Sequence, residues 1–281
     1  MYDPFKIDGP TCLSFSFGRS SAFMLKRVLA ANGGRLPPET VVLACNTGKE
    51  NKASLRFGAR ISQEWSVPIT LLEYREGGQF EVVTFDTASL NGEPFEAVIH
   101  DRGGILPNPV SRYCSSEMKT RTMHRYIRQV LGWTEWETML GIRADEPKRV
   151  ASFRFNPHPE TKDEYVRIPL ADAFVSAQEV GAFWQAQPFD LELPNIGGKT
   201  AHGNCTRCFL KTLGTVVSLE KEEHDPWWAE QELRAEQVAT GAGCRFRAGR
   251  PSYKQIAIFV RDQRDMFDPE ETEAPGCLCG D

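Results

Sequence analysis

Two stretches of this chain hold residues whose spacing suits chemistry on sulfur. Cys205-Thr206-Arg207-Cys208 is a C-x-x-C pair behind a Gly/Asn loop, and two thiolates at that spacing can hold one metal ion or one cluster. Cys277-Leu278-Cys279 is a second close pair, in an acidic tail that has no apolar periodicity. Cys114 follows Arg112-Tyr113 and precedes a basic stretch, so Arg112, Lys119 and Arg121 are expected to stabilise its thiolate. Cys12 and Cys45 fall inside strand patterns and read as core residues. Cys244, beside Arg245, Arg247 and Arg250, is ambiguous. Two ligand sets follow from these positions. One is an iron–sulfur cluster on Cys114, Cys205, Cys208 and one tail cysteine; the other is a tetrathiolate zinc site of Cys205, Cys208, Cys277 and Cys279. The alternatives are a pair that binds nothing and a thioredoxin-type redox pair. The redox pair should open a helix behind a strand, which His202-Gly203-Asn204 does not suggest.

A second chemistry belongs to Ser14-Phe15-Ser16-Phe17-Gly18-Arg19-Ser20-Ser21, which joins a strand pattern to a helix pattern. Amides at the start of a helix point outward, and the helix dipole favours an anion there, so phosphate or sulfate fits this turn. Gly18 permits close approach, Ser16, Ser20 and Ser21 offer hydroxyls, and Arg19 adds charge. The plain alternative is a serine-capped helix. Gly198-Lys199-Thr200 imitates the end of a Walker loop, but Leu193 stands where its first glycine should be and no strand precedes it.

The elements that must position these groups alternate. Thr11 to Phe17 reads as a strand, Ser20 to Ala31 as a helix, Thr40 to Cys45 as a buried strand, Lys52 to Trp65 as a helix and Ile69 to Tyr74 as a third strand. That order predicts an α/β fold, an open and mostly parallel sheet flanked by helices. Glu117 to Leu131 is predicted as a basic helix, Trp136 to Ile142 as a strand, Glu146 to Lys162 as a loop and Ser176 to Gln187 as a helix. Pro194 to Asn204 reads as a loop, and helices follow near 215–221, 226–237 and 252–260. The expected division is a nucleotide-binding α/β domain over 1–190 and a helical, cysteine-bearing region over 191–281. The 281 residues are 41% hydrophobic and 25% charged, which is ordinary for a globular protein and excludes a disordered one. Net charge is −5, so the chain as a whole does not advertise nucleic acid. The sequence has no apolar run of about 18 residues, no apolar signal core at its start and few cysteines, so no membrane partner and a cytoplasmic location are expected.

Taken together, the motifs resemble the phosphoadenylyl-sulfate (PAPS) and adenylyl-sulfate (APS) reductases of the PP-loop, adenine-nucleotide alpha-hydrolase-like superfamily. Ser16-Phe17-Gly18-Arg19-Ser20-Ser21-Ala22 resembles their modified phosphate loop, and Asn46-Thr47-Gly48-Lys49-Glu50 their D/N-T-G segment. Cys114 to Lys119 is similar to the C-x-x-x-x-K stretch before a helix. Gly141-Ile142-Arg143 with Asp145, Glu146 and Arg149 resembles the G-x-R-x-x-E/D-x-x-R loop. The likeness runs over most of the chain and is nearest the phage and prophage branch, on the Gly203-Asn204-Cys205 to Lys211 segment and the C-x-C tail. Three departures stand out. Tyr113-Cys114 replaces a double cysteine, so Cys277 or Cys279 must supply a ligand; the tail differs from the family's catalytic-cysteine motif; and Ser20 occupies the place of an aspartate in the ATP-cleaving relatives.

The resemblance implies an enzyme binding PAPS, APS or ATP through Ser16, Gly18, Arg19, Ser20, Ser21, Asn46, Thr47, Gly48, Lys119, Arg143 and Arg149. It implies a 4Fe-4S cluster, with zinc as the alternative, on Cys114, Cys205, Cys208 and Cys279, and thiol chemistry at Cys277 or Cys279 with a thioredoxin-like reductant. A nucleic-acid sulfur-modifying enzyme is the second reading, with Arg245, Arg247, Arg250 and Lys254 as its strand-binding patch. A non-catalytic nucleotide-binding module is the third. A homodimer is compatible with all three.

Overall fold

β1 (Thr11–Ser14) is short, wholly apolar or β-branched on its inner positions, and lies at the centre of a six-stranded sheet. The computed structural model describes residues 2–155, 162–196, 199–200 and 202–266. After β1 the chain runs through α1 (Arg19–Ala31), β2 (Thr40–Asn46), α2 (Lys52–Glu64), β3 (Ile69–Arg75) and β4 (Gln79–Val83). It then forms α3 (Glu93–Asp101) and a helical run over 113–131, and returns to the other side of β1 as β5 (Trp136–Leu140) and β6 (Glu164–Arg167). The strand order is β4-β3-β2-β1-β5-β6, parallel throughout except for the β3–β4 hairpin. The fold is therefore the expected α/β one. The chain reverses its direction of travel between β1 and β5, which is where open α/β sheets bind ligands.

Period-two alternation divides the sheet's two faces. Leu13, Ala44 and Leu71 face a core filled by Phe23, Met24, Val28, Leu55, Phe57, Ile61 and Trp184. Cys12, Leu43, Cys45 and Leu72 face Met123, Ile127 and Trp136 on the side of the 113–131 run. Cys12 and Cys45 are thus core residues, as their strand positions predict. That run contains π-helical turns at Ser116–Arg121 and Ile127–Leu131, whose wider coil is often found at functional sites. A third core joins Phe95, Val98, Tyr113 and Met118 to Phe209, Val216, Trp228, Phe246 and Tyr253 from the C-terminal helices.

The structure departs from the sequence reading at several points. Within the expected loop 146–162 stands a helix, Pro147–Phe155, with no buried residue. Pro147 opens it at a position where a missing N–H costs nothing, but without a buried face it has no apolar stripe to read. β4 is short and largely exposed, β6 is short and mostly half-buried, and the expected loop 194–204 holds a hairpin of Asn195–Ile196 and Lys199–Thr200. Residues 156–161, Gly198 and the tail with Cys277 and Cys279 lie outside the described residues.

Candidate anion site with converging thiols

β1 ends at Ser14, and α1 begins at Arg19 behind Gly18, whose backbone is extended (φ −105°, ψ 158°) and whose position offers no side-chain cap. Ala22 N–H donates to Gly18 O at 3.1 Å as the first bond of the helix, so the amides of Arg19, Ser20 and Ser21 have no acceptor within it. Phe17 turns the chain with φ 56°, a left-handed conformation that costs a non-glycine residue about 1 kcal/mol. Burial of its ring against Phe15 and Phe85, at centroid distances of 5.6 and 6.3 Å, offsets that cost. The Ser21 hydroxyl ties the loop together: it donates to Gly18 O at 2.9 Å and accepts from Ser16 N–H at 3.2 Å and Ser16 Oγ at 3.1 Å. Gly141, just past β5, presses on the same turn, where a Cβ would fall 2.8 Å from Ser21 Cα.

This turn lines a cavity of about 750 Å³. Its walls carry six cationic side chains, Arg19, Arg112, Lys119, Arg143, Arg149 and Lys211, and one acidic side chain, Glu146. In a chain of net charge −5, that local excess is a strong electrostatic signature of an anion site. The cations differ in their commitments. The Arg19 guanidinium is buried and donates to Asp190 Oδ1 and Oδ2 (both 2.8 Å), Thr200 Oγ1 (2.8 Å), Leu191 O (2.6 Å) and Leu193 O (2.8 Å). Its charge borders the cavity, but its donors fasten the 190–200 segment to α1. Arg143 donates to Ser20 Oγ at 2.9 Å and to Asp145 at 2.9 Å. Arg149 is exposed and pairs with Glu146 at 2.5 Å. Lys119 pairs with buried Glu50 at 3.2 Å. The Arg112 guanidinium is exposed and has no ion-pair partner among the described residues.

The Asn46–Gly48 segment acts one layer behind. Asn46 is buried, donates to Glu73 Oε1 (2.6 Å) and Ser89 O (2.8 Å), and accepts from Gly48 N–H (3.1 Å). Gly48 has φ 75°, and a Cβ there would meet Gly92 Cα at 2.9 Å. These contacts place Thr47 on the cavity wall and Glu50 beneath Cys205.

Cys114, Cys205 and Cys208 line this same cavity. Cys114 comes from the start of the 113–131 run. Cys205 and Cys208 come from a loop stitched to the sheet side by Thr206 N–H on Lys49 O at 2.7 Å. Asn204 and Arg207 adopt left-handed backbone conformations (φ 62° and 32°). The Arg207 side chain is buried and pinned by Glu220 at 2.6 Å and Leu219 O at 3.1 Å, which fixes the turn between the two cysteines. Cys205 Sγ sits 3.2 Å from Thr47 Oγ1 and 3.6 Å from Glu50 Oε1.

The expected stabilised thiolate at Cys114 is not found. Burial, then the neighbouring Cys208, push its thiol up to about 11, and Lys119 only partly opposes them. Arg121 is turned onto Glu117 at 2.5 Å. Burial raises Cys205 and Cys208 as well. Without a ligand on sulfur, all three are therefore thiols at neutral pH. Among the described residues no three Cys, His, Asp or Glu side chains converge on the position of a single ion.

Sequence reasoning passed over Lys211, which lies three residues past Cys208 on the cavity wall, and Glu50, and took Arg112 only as a neighbour of Cys114. The three arginines expected in a strand-binding patch with Lys254, which is exposed, each make internal contacts. Arg247 donates to Phe209 O (3.1 Å), Arg250 donates to Lys211 O (2.7 Å), and Arg245 pairs with Glu232 and Glu236 (3.6 and 3.1 Å). Cys244 stands apart from the cavity, with its Sγ on Gly241 O at 3.1 Å.

No protein-family profile matches the chain. It is similar to a protein of Escherichia phage lambda described as an uncharacterized nin region protein, ORF290. The two are 28% identical over 221 residues, which cover 75% of this chain and 69% of that protein. The likeness supports a phage-type relationship. Among the described residues, no helix is long and apolar enough to cross a membrane.

Proposed function

We propose that this chain is an enzyme of the PAPS-reductase type, binding an adenine sulfonucleotide with its anionic end on the first turn of α1 and performing thiol-based sulfur reduction or transfer. The observation that carries the reading is the meeting, in one cavity, of the uncapped amides of Arg19 to Ser21, six cationic side chains and three cysteines from two distant segments. The amides and the Ser20 hydroxyl would receive the phosphate or sulfate, and Arg112 and Arg143 would neutralise its remaining charge. The donor set of Cys114, Cys205 and Cys208 is all sulfur, which would suit an iron–sulfur cluster or, as the alternative, zinc. Cys277 or Cys279 would complete the ligand set. When bound, such a cluster supplies a polarisable charge beside the nucleotide's anionic end.

The chemistry then belongs to the other tail cysteine. Its thiolate sulfur attacks the sulfate sulfur, a sulfur–sulfur bond forms, and the sulfur–oxygen bond to the nucleotide phosphate breaks, with its electron pair leaving on that phosphate oxygen. A dithiol reductant of thioredoxin type next attacks the cysteine sulfur. Sulfite leaves with the electron pair and a mixed disulfide forms; the reductant's second thiol then attacks the reductant's sulfur in that bond, the enzyme cysteine leaves as thiolate, and the reductant ends as a disulfide. Incubating the anaerobically purified protein with PAPS in the absence of reductant should leave one sulfonate on Cys277 or Cys279, read by peptide mass spectrometry. The same preparation should be brown and carry about four irons. An unmodified tail together with a colourless protein would refute the reading.

A further inference from the structure

The turn that carries the C-x-x-C pair is gripped by residues 247–253, which lead into the last helix, Tyr253–Met266. Three alternate carbonyls of the turn each accept from this segment: Arg207 O from Tyr253 Oη, Phe209 O from Arg247 Nη1 at 3.1 Å and Lys211 O from Arg250 Nη2 at 2.7 Å. Lys211 folds its ammonium back onto Gly203 O, and its N–H donates to Cys208 O at 2.9 Å. The turn is thus held on both sides of Cys208.

Positive charge gathers with these bonds. Arg247 and Arg250 are half-buried, and neither has a carboxylate partner among the described residues, whereas Arg245 has two, Glu232 and Glu236. Burial, then repulsion from Arg247, push Arg250 down; Tyr253 and Cys208, when ionised, oppose them. Two donors here are also orphaned. Arg250 Nη1 and Trp228 Nε1 are buried and have no hydrogen-bond partner among the described residues. Trp228 is 1% exposed, stacks on Tyr253 at 5.3 Å and lines the anion cavity beside Cys208, and Cys114 packs against the same aromatic cluster. In a chain of net charge −5, two arginines without an acid and two buried donors without acceptors mark a place where negative charge arrives.

We propose that Arg247, Arg250, Tyr253 and Trp228 are positioning residues of the sulfur centre. Tyr253 and the two arginines hold the turn in the shape that presents Cys205 and Cys208, while Arg250 and Trp228 supply the charge and hydrogen bonds that an anionic cluster on these thiolates requires. The inference rests on the cluster half of the reading above and not on its sulfonucleotide chemistry.

Anaerobically purified full-length protein tests it. Arg250→Met should release iron to a ferrous chelator about tenfold faster than the parent, and Arg250→Lys, which keeps the charge, should restore much of the retention. In Arg250→Met the cluster should also be harder to reduce, by about 59 mV, a tenfold change for one electron, because the lost cation favoured the added charge. Trp228→Phe should move the potential in the same direction, with a thermal melt to confirm folding. Tyr253→Phe keeps the ring and loses only the bond to Arg207 O, so it should speed iron release and leave the potential in place. Looser packing alone would speed release without moving any potential, so parental potentials in both Arg250→Met and Trp228→Phe overturn the proposal. An iron-free parent overturns it too, as do variants that keep iron and potential but lose affinity for PAPS, because the orphaned donors then face the nucleotide. A shifted potential beside an unsulfonated tail would refute the sulfonucleotide chemistry and uphold this inference.

Discussion

Gly18 and Gly141 meet at the same turn for different reasons, and the difference separates binding from folding. A Cβ on Gly18 would come no nearer than 3.7 Å to the Ser16 hydroxyl, an ordinary contact, and its backbone is one that any residue adopts. The fold tolerates a side chain there, whereas an anion resting on the following amides would not. Gly18→Ala should therefore cost about 1 kcal/mol or less in a urea melt, the usual difference at a helix N-cap, while weakening PAPS by tenfold or more in a binding titration. Gly141→Ala places its methyl 2.8 Å from Ser21 Cα and 2.9 Å from Ser21 N, which are backbone atoms that cannot rotate aside. It should lose about 1–3 kcal/mol of stability as well as affinity. Equal affinity of Gly18→Ala and the parent protein would remove the anion site from the first turn. The glycine-and-serine composition of this loop was legible in the sequence, and so was the company of Cys114 with Cys205 and Cys208. The role of Arg19 was not, because its partner Asp190 lies 171 positions away and no local spacing reports a contact at that range.

At the scale of elements, legibility followed burial. β1, α1, β2, α2 and β3 announce themselves because each buries a regular set of apolar side chains, period two in the strands and three to four in the helices. β4 and β6 bury few residues, and the 147–155 helix buries none, so pattern had nothing to mark. That helix is held by Arg154 on Asp172, by backbone bonds of Arg149 and Val150 to Glu146 O at 3.0 Å each, and, among the described residues, by a single apolar contact, half-buried Val150 against the Ile142, Ile168 and Ala171 cluster. Native-state hydrogen exchange should accordingly find the amides of 151–155 opening with little more protection than a loop, while those of 23–30 in α1 exchange only on global unfolding. Protection of that helix equal to α1 in the free protein would mean it has packing partners beyond those described.

At the scale of the whole molecule, composition alone divides the chain near residue 190, because the cysteines and late helices gather beyond it. Physical contacts run across that line. Phe95, Tyr113 and Met118 from the first part share one core with Phe209, Trp227, Trp228, Phe246 and Tyr253 from the second. Arg19, at the head of the anion site, is held by Asp190, Leu191, Leu193 and Thr200. Fully burying one large apolar side chain contributes about 1.5–3 kcal/mol, and five such residues together exceed the lower end of a domain's net stability of about 5–15 kcal/mol. A fragment of residues 1–190 should therefore not fold alone: it exposes the Phe95 and Met118 surface and removes three of the five acceptors of Arg19, those of Leu191, Leu193 and Thr200. Full-length protein in urea should unfold in one transition, with tryptophan fluorescence, which Trp227 and Trp228 in the second part share with Trp136 and Trp184 in the first, superimposing on far-ultraviolet dichroism. A soluble 1–190 fragment with a cooperative melt would show instead that the thiol-bearing region is an appendage, and that the anion site is complete without it.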